Sequence, residues 1–134
     1  MISFSDTLRS QRAQLLATAI DQGSLGAASL CLYGGNRPGS GQPVTDQPLL
    51  ISLLLAYPCA ASVGGGVLVL KPIPETLVTA DGTLSWGRLL DRDGLPVADL
   101  EVGLPGSGAD IELPALAVYR GAFIRIDQAT LTEP

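Results

Sequence analysis

A 23-residue stretch without a charged side chain, residues 48–70, constrains the fold more than any other part of the sequence. It reads PLLISLLLAYPCAASVGGGVLVL, and its length alone would allow a membrane-spanning helix. Pro58 and the glycines at 64–66 interrupt it, however, and both residue types destabilise the interior of a helix. Two strands joined by a loop of small residues fit the pattern better. We therefore predict strands at 49–57 and 66–73, buried on both faces, and no membrane partner.

Short apolar runs bounded by turn residues continue along the rest of the chain, which contains 16 Gly and 10 Pro. Such runs, with no helical pattern between them, are typical of antiparallel strands connected by turns. We predict a mainly β fold, an antiparallel β-sandwich of about seven or eight short strands over residues 27–132, in a single domain spanning residues 1–134. The other predicted strands are 27–35, 84–90, a partner ending near Val102, 109–113 and 121–132.

One amphipathic α-helix is predicted before the strands, at about residues 5–22. Ser5 or Asp6 can cap its first N–H groups, and Gly23 suits the position that follows its end. The i, i+4 and i, i+7 spacing of apolar residues predicts one buried face, made of Leu8, Leu15, Leu16, Ala19 and Ile20.

The segment TLSWGRLLDRDGLPVADLEV, residues 83–102, is predicted to form a β-hairpin. Its two arms alternate apolar and polar residues, and Asp93-Gly94 is a favoured two-residue turn in which both residues take positive φ. Trp86 is predicted to lie in the core or at an interface. Arg88 shares the face of Trp86, and we expect its side chain to extend toward an edge or a partner.

The residue inventory argues against catalysis, a metal site or a cofactor. The chain has no histidine, which excludes Ser-His-Asp, Cys-His and histidine-based metal sites. The acidic residues of the hairpin alternate along its arms, as on a solvated face. The segment starting at Asp91 fails as a calcium loop, because Pro96 and Val102 occupy the positions of the required Gly and Glu.

Cys31 and Cys59 are the only thiols. The N-terminal sequence MISFSD shows neither the basic nor the apolar region of a secretion signal. We therefore expect two buried, reduced cysteines that pack as small apolar residues, with a disulfide between them as the alternative.

The overall composition indicates a protein that associates. The chain is 46% hydrophobic with a mean hydropathy of +0.34, which is high for a small water-soluble monomer. Its formal charge of −5 and its scattered basic residues argue against binding to nucleic acid. We expect part of the apolar surface to be covered by further copies of the chain or by a larger partner.

The order of the motifs resembles a family of small virion structural proteins encoded by tailed bacteriophages and prophages. The similar segments follow one another along nearly the whole chain: LRSQRAQLLATAIDQG, LCLYGGNRPGSGQPVTDQPLL, GVLVL, GTLSWGRLLDRDGLPVADLEVG and ADIEL. The second segment matches the pattern Gly-x-Arg-Pro followed by Val-Thr-x-Gln-x-Leu-Leu. The hairpin meets Ala-x-Trp-x-Arg at Trp86 and Arg88, with Leu84-Ser85 in place of the usual small residues. The late segment PALAVYRGAFIRI departs from the polar pattern expected there.

The resemblance implies a non-enzymatic virion protein with no catalytic residue to carry over. We expect a capsid decoration or cement protein, made in the bacterial host cytoplasm and located in the virion, that stabilises the shell through repeated subunit contacts. Its expected partners are the major capsid protein or tail proteins and further copies of itself. The alternatives are a tail or fibre component, or a carbohydrate- or receptor-binding β-sandwich that uses tryptophan or tyrosine. The candidate interface residues are Leu25, Arg37, Pro38, Val44, Trp86 and Arg88.

Overall fold

The computed structural model describes residues 2–39, 41–126 and 129–132. It confirms a mainly β fold that follows one N-terminal helix. The elements in the described residues are α1 (Asp6–Ile20), β1 (Ser29–Tyr33), β2 (Leu49–Leu54), β3 (Ala60–Gly64), β4 (Val67–Leu70), β5 (Ile73–Leu77), β6 (Gly82–Thr83), β7 (Trp86–Leu90), β8 (Pro96–Gly103), β9 (Ile111–Glu112), β10 (Ala117–Val118), β11 (Phe123–Ile126) and β12 (Ala129–Thr132).

The strands are shorter and more numerous than predicted, because turns and bulges divide the apolar runs. The 23-residue uncharged stretch forms three strands rather than two, with β3 built from small residues. The predicted strand 121–132 is occupied by β11 and β12, and its residues 127 and 128 lie outside the described part of the chain. Strand β2 is not buried on both faces, because Leu49, Ser52 and Leu54 are exposed.

The largest sheet has the strand order β2-β1-β7-β8-β9. Its first four strands are antiparallel, whereas β8 and β9 run parallel. A three-stranded sheet has the order β12-β4-β3, and two further pairs, β10-β6 and β11-β5, complete the strand pairing. A β-sandwich results, because the inner residues of these sheets join in one buried cluster with the buried residues of α1.

Leucines of β1 fill the inner face of the large sheet. Leu30 and Leu32 are fully buried and lie opposite residues of both neighbouring strands. Leu32 lies opposite Gly87, where an added Cβ would come within 2.9 Å of the Leu32 Cδ2 atom. Gly87 therefore supplies the space that the Leu32 side chain occupies.

The helix begins as predicted, but the face that it turns to the core matches the predicted one only in part. The Ser5 hydroxyl accepts the Leu8 N–H at 3.2 Å, which is the expected cap. The buried helix residues are Ala13, Ala17 and Ile20, and Leu16 packs against the core, whereas Leu8 and Leu15 are exposed. The predicted face was therefore right at Leu16 and Ile20 and wrong at Leu8 and Leu15. Small alanines let the helix lie close against β3 and β4. No helix in the described ranges has the length and apolar character that crossing a membrane requires.

The predicted hairpin is present as β7 and β8, but its turn is larger than predicted. Gly94 has a φ of 82°, whereas Asp93 does not take a positive φ. The Gly94 N–H donates to the Asp91 carbonyl at 3.0 Å, and the Asp91 N–H donates to the Leu95 carbonyl at 2.9 Å. The Asp91 carboxylate also accepts the N–H groups of Asp93 and Leu95, at 2.9 and 3.0 Å. An aspartate at the first position favours this wider turn over the two-residue one.

Candidate functional site

Trp86 lies within the protomer, on the outer face of the large sheet. Its ring is 2% exposed and stacks on Tyr33 of the neighbouring strand, with ring centroids 4.5 Å apart. The indole Nε1–H donates to the Gly34 carbonyl at 3.2 Å. The Trp86 ring is thus enclosed by its own chain and offers no flat surface to a partner.

Arg88 is buried beside Trp86 and forms an ion pair across the hairpin. Its Nε and Nη2 donate to the two carboxylate oxygens of Asp99, at 2.7 and 3.1 Å. The two side chains are 5% and 8% exposed. The bonds to Asp99 raise the pKa of the Arg88 guanidinium above its ordinary value. The sequence predicts that the Arg88 side chain extends toward an edge or a partner. The guanidinium instead reaches across to Asp99 of β8.

The loop at 34–48 carries three of the predicted contact residues. Arg37 is exposed, whereas Pro38 and Val44 are half-buried. Gln47 fixes the loop from within: its side-chain amide donates to the Asn36 carbonyl at 2.8 Å and accepts the Thr45 N–H at 2.9 Å. The described part of this loop remains a candidate contact surface.

Leu25 lies at the tip of a short loop that the hairpin turn holds in place. One carboxylate oxygen of Asp93 accepts the N–H groups of Ser24 and Leu25, at 2.9 and 3.1 Å. The Arg92 guanidinium donates to the carbonyls of Gly23 and Gly26, each at 3.0 Å. We call this arrangement of Arg92 and Asp93 around residues 23–26 the clamp.

The hydrogen bonds of the clamp favour the charged form of the Asp93 carboxylate. The two backbone N–H donors lower the pKa of the Asp93 carboxyl, because they stabilise its charged form. Gly23 has a φ of 114°, and a Cβ at this position would come within 2.6 Å of the Asp93 Cγ. Only glycine therefore allows the carboxylate to approach the loop.

Three large side chains on the clamp, beside it or next to it in sequence are exposed to solvent. Leu25 is 83% exposed, Tyr57 is 65% exposed and Leu95 is 61% exposed. The Arg92 guanidinium carbon lies 4.3 Å from the centre of the Tyr57 ring, a cation–π contact that joins this ring to the clamp. We call these three residues the Leu25 patch. The patch is an apolar surface presented by a fixed backbone, the form that contact residues in preorganised interfaces take.

A second apolar surface, not predicted from the sequence, lies between β10 and β11. It is a groove with a volume of about 220 Å³ that runs between Leu113 and Arg125. Tyr119 and Phe123 line it and are 67% and 62% exposed. We call it the aromatic groove. The sequence signal that could have found it is an aromatic residue on each side of Arg120-Gly121, where glycine indicates a turn.

The three aspartates of the hairpin are engaged in structural bonds. Asp91 and Asp93 accept backbone N–H groups, and Asp99 binds Arg88. Cys31 and Cys59 are free and buried, as predicted, and burial raises the pKa of the Cys59 thiol to about 12. Among the described residues, no group of three or more His, Cys, Asp or Glu side chains is placed to hold a metal ion.

A search of protein-family models, of curated proteins and of solved structures finds no match to this chain.

Proposed function

We propose that this chain is a non-enzymatic structural protein of a bacteriophage virion that decorates the capsid through repeated contacts. The observation that carries the proposal is the clamp, which presents Leu25 at 83% exposure on a backbone fixed by side chains of the hairpin turn. The resemblance of the ordered sequence motifs supports the assignment to a virion. The Leu25 patch is the surface proposed to meet the major capsid protein.

The energetics of such a contact suit a lattice. Burying one leucine side chain contributes about 1.5–3 kcal/mol. Ordering a flexible loop residue on binding would cost about 1–2 kcal/mol for its backbone. The clamp has already ordered residues 23–26, so binding does not incur this ordering cost. Most of the free energy gained by burying Leu25 therefore contributes to affinity. A contact of this strength is weak alone, and it becomes effective where a shell offers many equivalent positions.

The proposal favours the capsid over other partners because weak, repeated contacts need a repeated surface. A tail or fibre component would use the same patch on a different partner. A glycan-binding role based on Trp86 is not favoured, because the ring is buried against Tyr33.

The test is co-sedimentation of the purified chain with heads and with tails separated from the phage that encodes it. We expect the wild-type chain to sediment with heads, and the Leu25→Ser variant to lose most of this binding. Leu15→Ser is the matched control, because Leu15 is a leucine that is 68% exposed on the helix, away from the clamp. The control variant should bind heads like the wild type.

Three results would overturn the proposal. The wild-type chain could fail to sediment with heads. It could sediment with tails alone. Finally, Leu25→Ser could bind heads as strongly as Leu15→Ser does, which would remove the patch from the contact.

A further inference from the structure

The outer face of the large sheet is buried around Trp86, although the core lies against the other face. Cys31, Arg88 and Asp99 lie opposite one another on β1, β7 and β8, on the same face as Trp86. Both Cys31 and Arg88 are buried, as is the Asp99 carboxylate. In an antiparallel sheet with one face on the core, the other face commonly contacts water. Another part of the chain therefore covers this face.

The loop between β1 and β2 supplies the cover, and we call its described residues, 34–39 and 41–48, the strap. Residues 35–37 line a cavity of about 250 Å³ together with Trp86 and Glu101. Trp86 belongs to β7 and Glu101 to β8, and β7 lies between β1 and β8 in the sheet. The strap therefore crosses β7 to reach β8, a distance of two strand spacings or about 10 Å. It crosses on the outer face, because the core fills the inner one.

A second cavity lies between the middle of the strap and the hairpin. It measures about 310 Å³ and is lined by Gly41 and residues 96–99. Among the described residues from 35 to 46, Pro38 and Val44 are half-buried and the others are exposed. The strap thus rests on the sheet through few side chains, and the atoms that line the two cavities gain little packing energy from it.

Hydrogen bonds to the sheet fix the strap at its ends. The Gly34 N–H donates to the Pro48 carbonyl at 3.1 Å, and the Gly35 carbonyl accepts the Ser85 hydroxyl at 2.6 Å. The bonds of the middle residues, such as those of Gln47, stay inside the strap. Within the described ranges, no hydrogen bond joins the residues between Gly35 and Pro48 to the sheet.

A segment attached in this way can open while the rest of the chain stays folded. Parts of a protein with few buried contacts open at a small fraction of the free energy of global unfolding. Gly41 has a φ of 73°, and a Cβ at this position would meet no atom within 4 Å, so no packing fixes the strap there. Opening leaves the core and the pairing of β1 with its neighbours intact, since neither involves the middle of the strap.

We propose that the strap opens and closes as one unit over the outer face of the large sheet while the sandwich stays folded. In the closed state it shields the Tyr33–Trp86 stack and the Arg88–Asp99 pair from water. In the open state the same four side chains are presented together on one sheet face. The strap therefore controls access to a surface distinct from the Leu25 patch, and the inference goes beyond the proposed function.

Hydrogen exchange followed by NMR on the full chain tests the proposal. Trp86 is the only tryptophan, and its indole N–H, bonded to Gly34, reports access beneath the strap. The amides of Leu30 and Leu32 report global unfolding, because β1 is paired on both sides. Each protection factor is taken relative to the exchange rate of the same group in an unfolded peptide. We expect the protection factor of the indole N–H to be ~100-fold below those of the two amides.

Urea separates strap opening from global unfolding. About 1 M urea should lower the protection of Leu30 and Leu32 about 30-fold, because the free energy of unfolding falls by about 2 kcal/mol per molar. The protection of the indole N–H should stay nearly constant, since strap opening exposes little surface. The Thr45 N–H, which donates to Gln47 within the strap, should show the same protection factor as the indole.

A conservative core variant gives the decisive readout. Ile73 is fully buried in β5, and Ile73→Val should lower the protection of the Leu30 amide ~5-fold. It should leave the indole protection unchanged, because the core is the same in the closed and the open state. Circular dichroism verifies that the variant is folded.

A strap variant tests the closed state itself. Gln47→Ala removes two hydrogen bonds that hold the strap together, and we expect the indole protection to fall ~10-fold. Gln11→Ala is the matched control, because Gln11 is an exposed glutamine on α1, and it should leave this protection unchanged. Val44→Ser, which removes a half-buried apolar contact of the strap, replaces Gln47→Ala if that variant does not fold.

Four results would overturn the proposal. The indole N–H could match the Leu30 amide in protection and in urea dependence, so that the strap opens only with the sandwich. It could exchange without protection, which would mean that nothing covers the face. Ile73→Val could lower the indole protection as much as that of Leu30. Finally, the strap variant could leave the indole protection as unchanged as Gln11→Ala does.

Discussion

Replacing Asp99 by leucine leaves the Arg88 guanidinium buried without its counter-charge, and we expect this change to cost about 3–5 kcal/mol of unfolding free energy. The expectation follows from the structure, since the two side chains are 5% and 8% exposed and share two short hydrogen bonds. Arg88→Met should cost a similar amount, because it leaves the carboxylate unpaired in the same place.

The double variant Arg88→Met/Asp99→Leu should be far less destabilised than either single one. It removes both desolvation penalties, and apolar replacements of a buried pair are often neutral or stabilising. We expect its stability within about 1 kcal/mol of the wild type. The double-mutant cycle then gives a favourable coupling free energy of several kcal/mol between Arg88 and Asp99.

Urea unfolding measures these values. With a urea dependence of about 2 kcal/mol per molar, a loss of about 4 kcal/mol moves the unfolding midpoint by about 2 M. The surface pair of Arg9 and Asp6 provides the control, since the Asp6 side chain is 84% exposed at 3.3 Å from its partner. Asp6→Ala should cost no more than about 1 kcal/mol.

Two results would refute the reasoning. Single variants that each cost less than about 1 kcal/mol would show that water screens the Arg88–Asp99 pair as it does a surface pair. A double variant destabilised by the sum of the two single changes would show no coupling between the residues.

Three further expectations concern single positions. Trp86→Ala should lower the free energy of unfolding by about 3–5 kcal/mol, measured by the same urea titration, and a loss well below 1 kcal/mol would contradict the burial of the ring. The lowered pKa of Asp93 means that the clamp's contribution is complete above the ordinary aspartate pKa and is lost as the pH falls through the lowered value. Asp93→Ala should therefore speed amide hydrogen exchange at Ser24 and Leu25 at neutral pH, and equal exchange rates in both proteins would contradict the clamp. Cys59, whose thiol pKa is raised to about 12, should react with a thiol reagent at pH 8 only after unfolding, and rapid labelling of the folded chain would contradict its burial.

Short sequence patterns correctly predicted the features that depend on single residues or on neighbours in the sequence. The Ser5 cap, the hairpin around Gly94 and the burial of both cysteines follow from the chemistry of single residues or short segments. A turn centred on Asp93-Gly94 also places Arg88 opposite Asp99, which is the observed register. The ion pair was therefore within reach of the sequence, although we expected Arg88 to extend outward.

Tertiary packing decided the features that the sequence did not predict. Helical periodicity placed Ile20 on the buried face but missed Ala13 and Ala17, whose small side chains let the helix lie close to the sheet. The parallel pairing of β8 with β9 depends on the path of the intervening loop. The aromatic groove depends on which strand edges are left without a neighbour, and no local pattern encodes that.

The clamp joins parts of the chain that are made at different times. The bond from the Ser24 N–H to Asp93 spans 69 positions of sequence, so the loop around Leu25 is synthesised long before the hairpin that fixes it. A nascent or truncated chain exposes the same leucine on an unfixed backbone. Under the proposed decoration role, docking through Leu25 would therefore be coupled to completion of the fold, and finished chains would bind the particle in preference to unfinished ones.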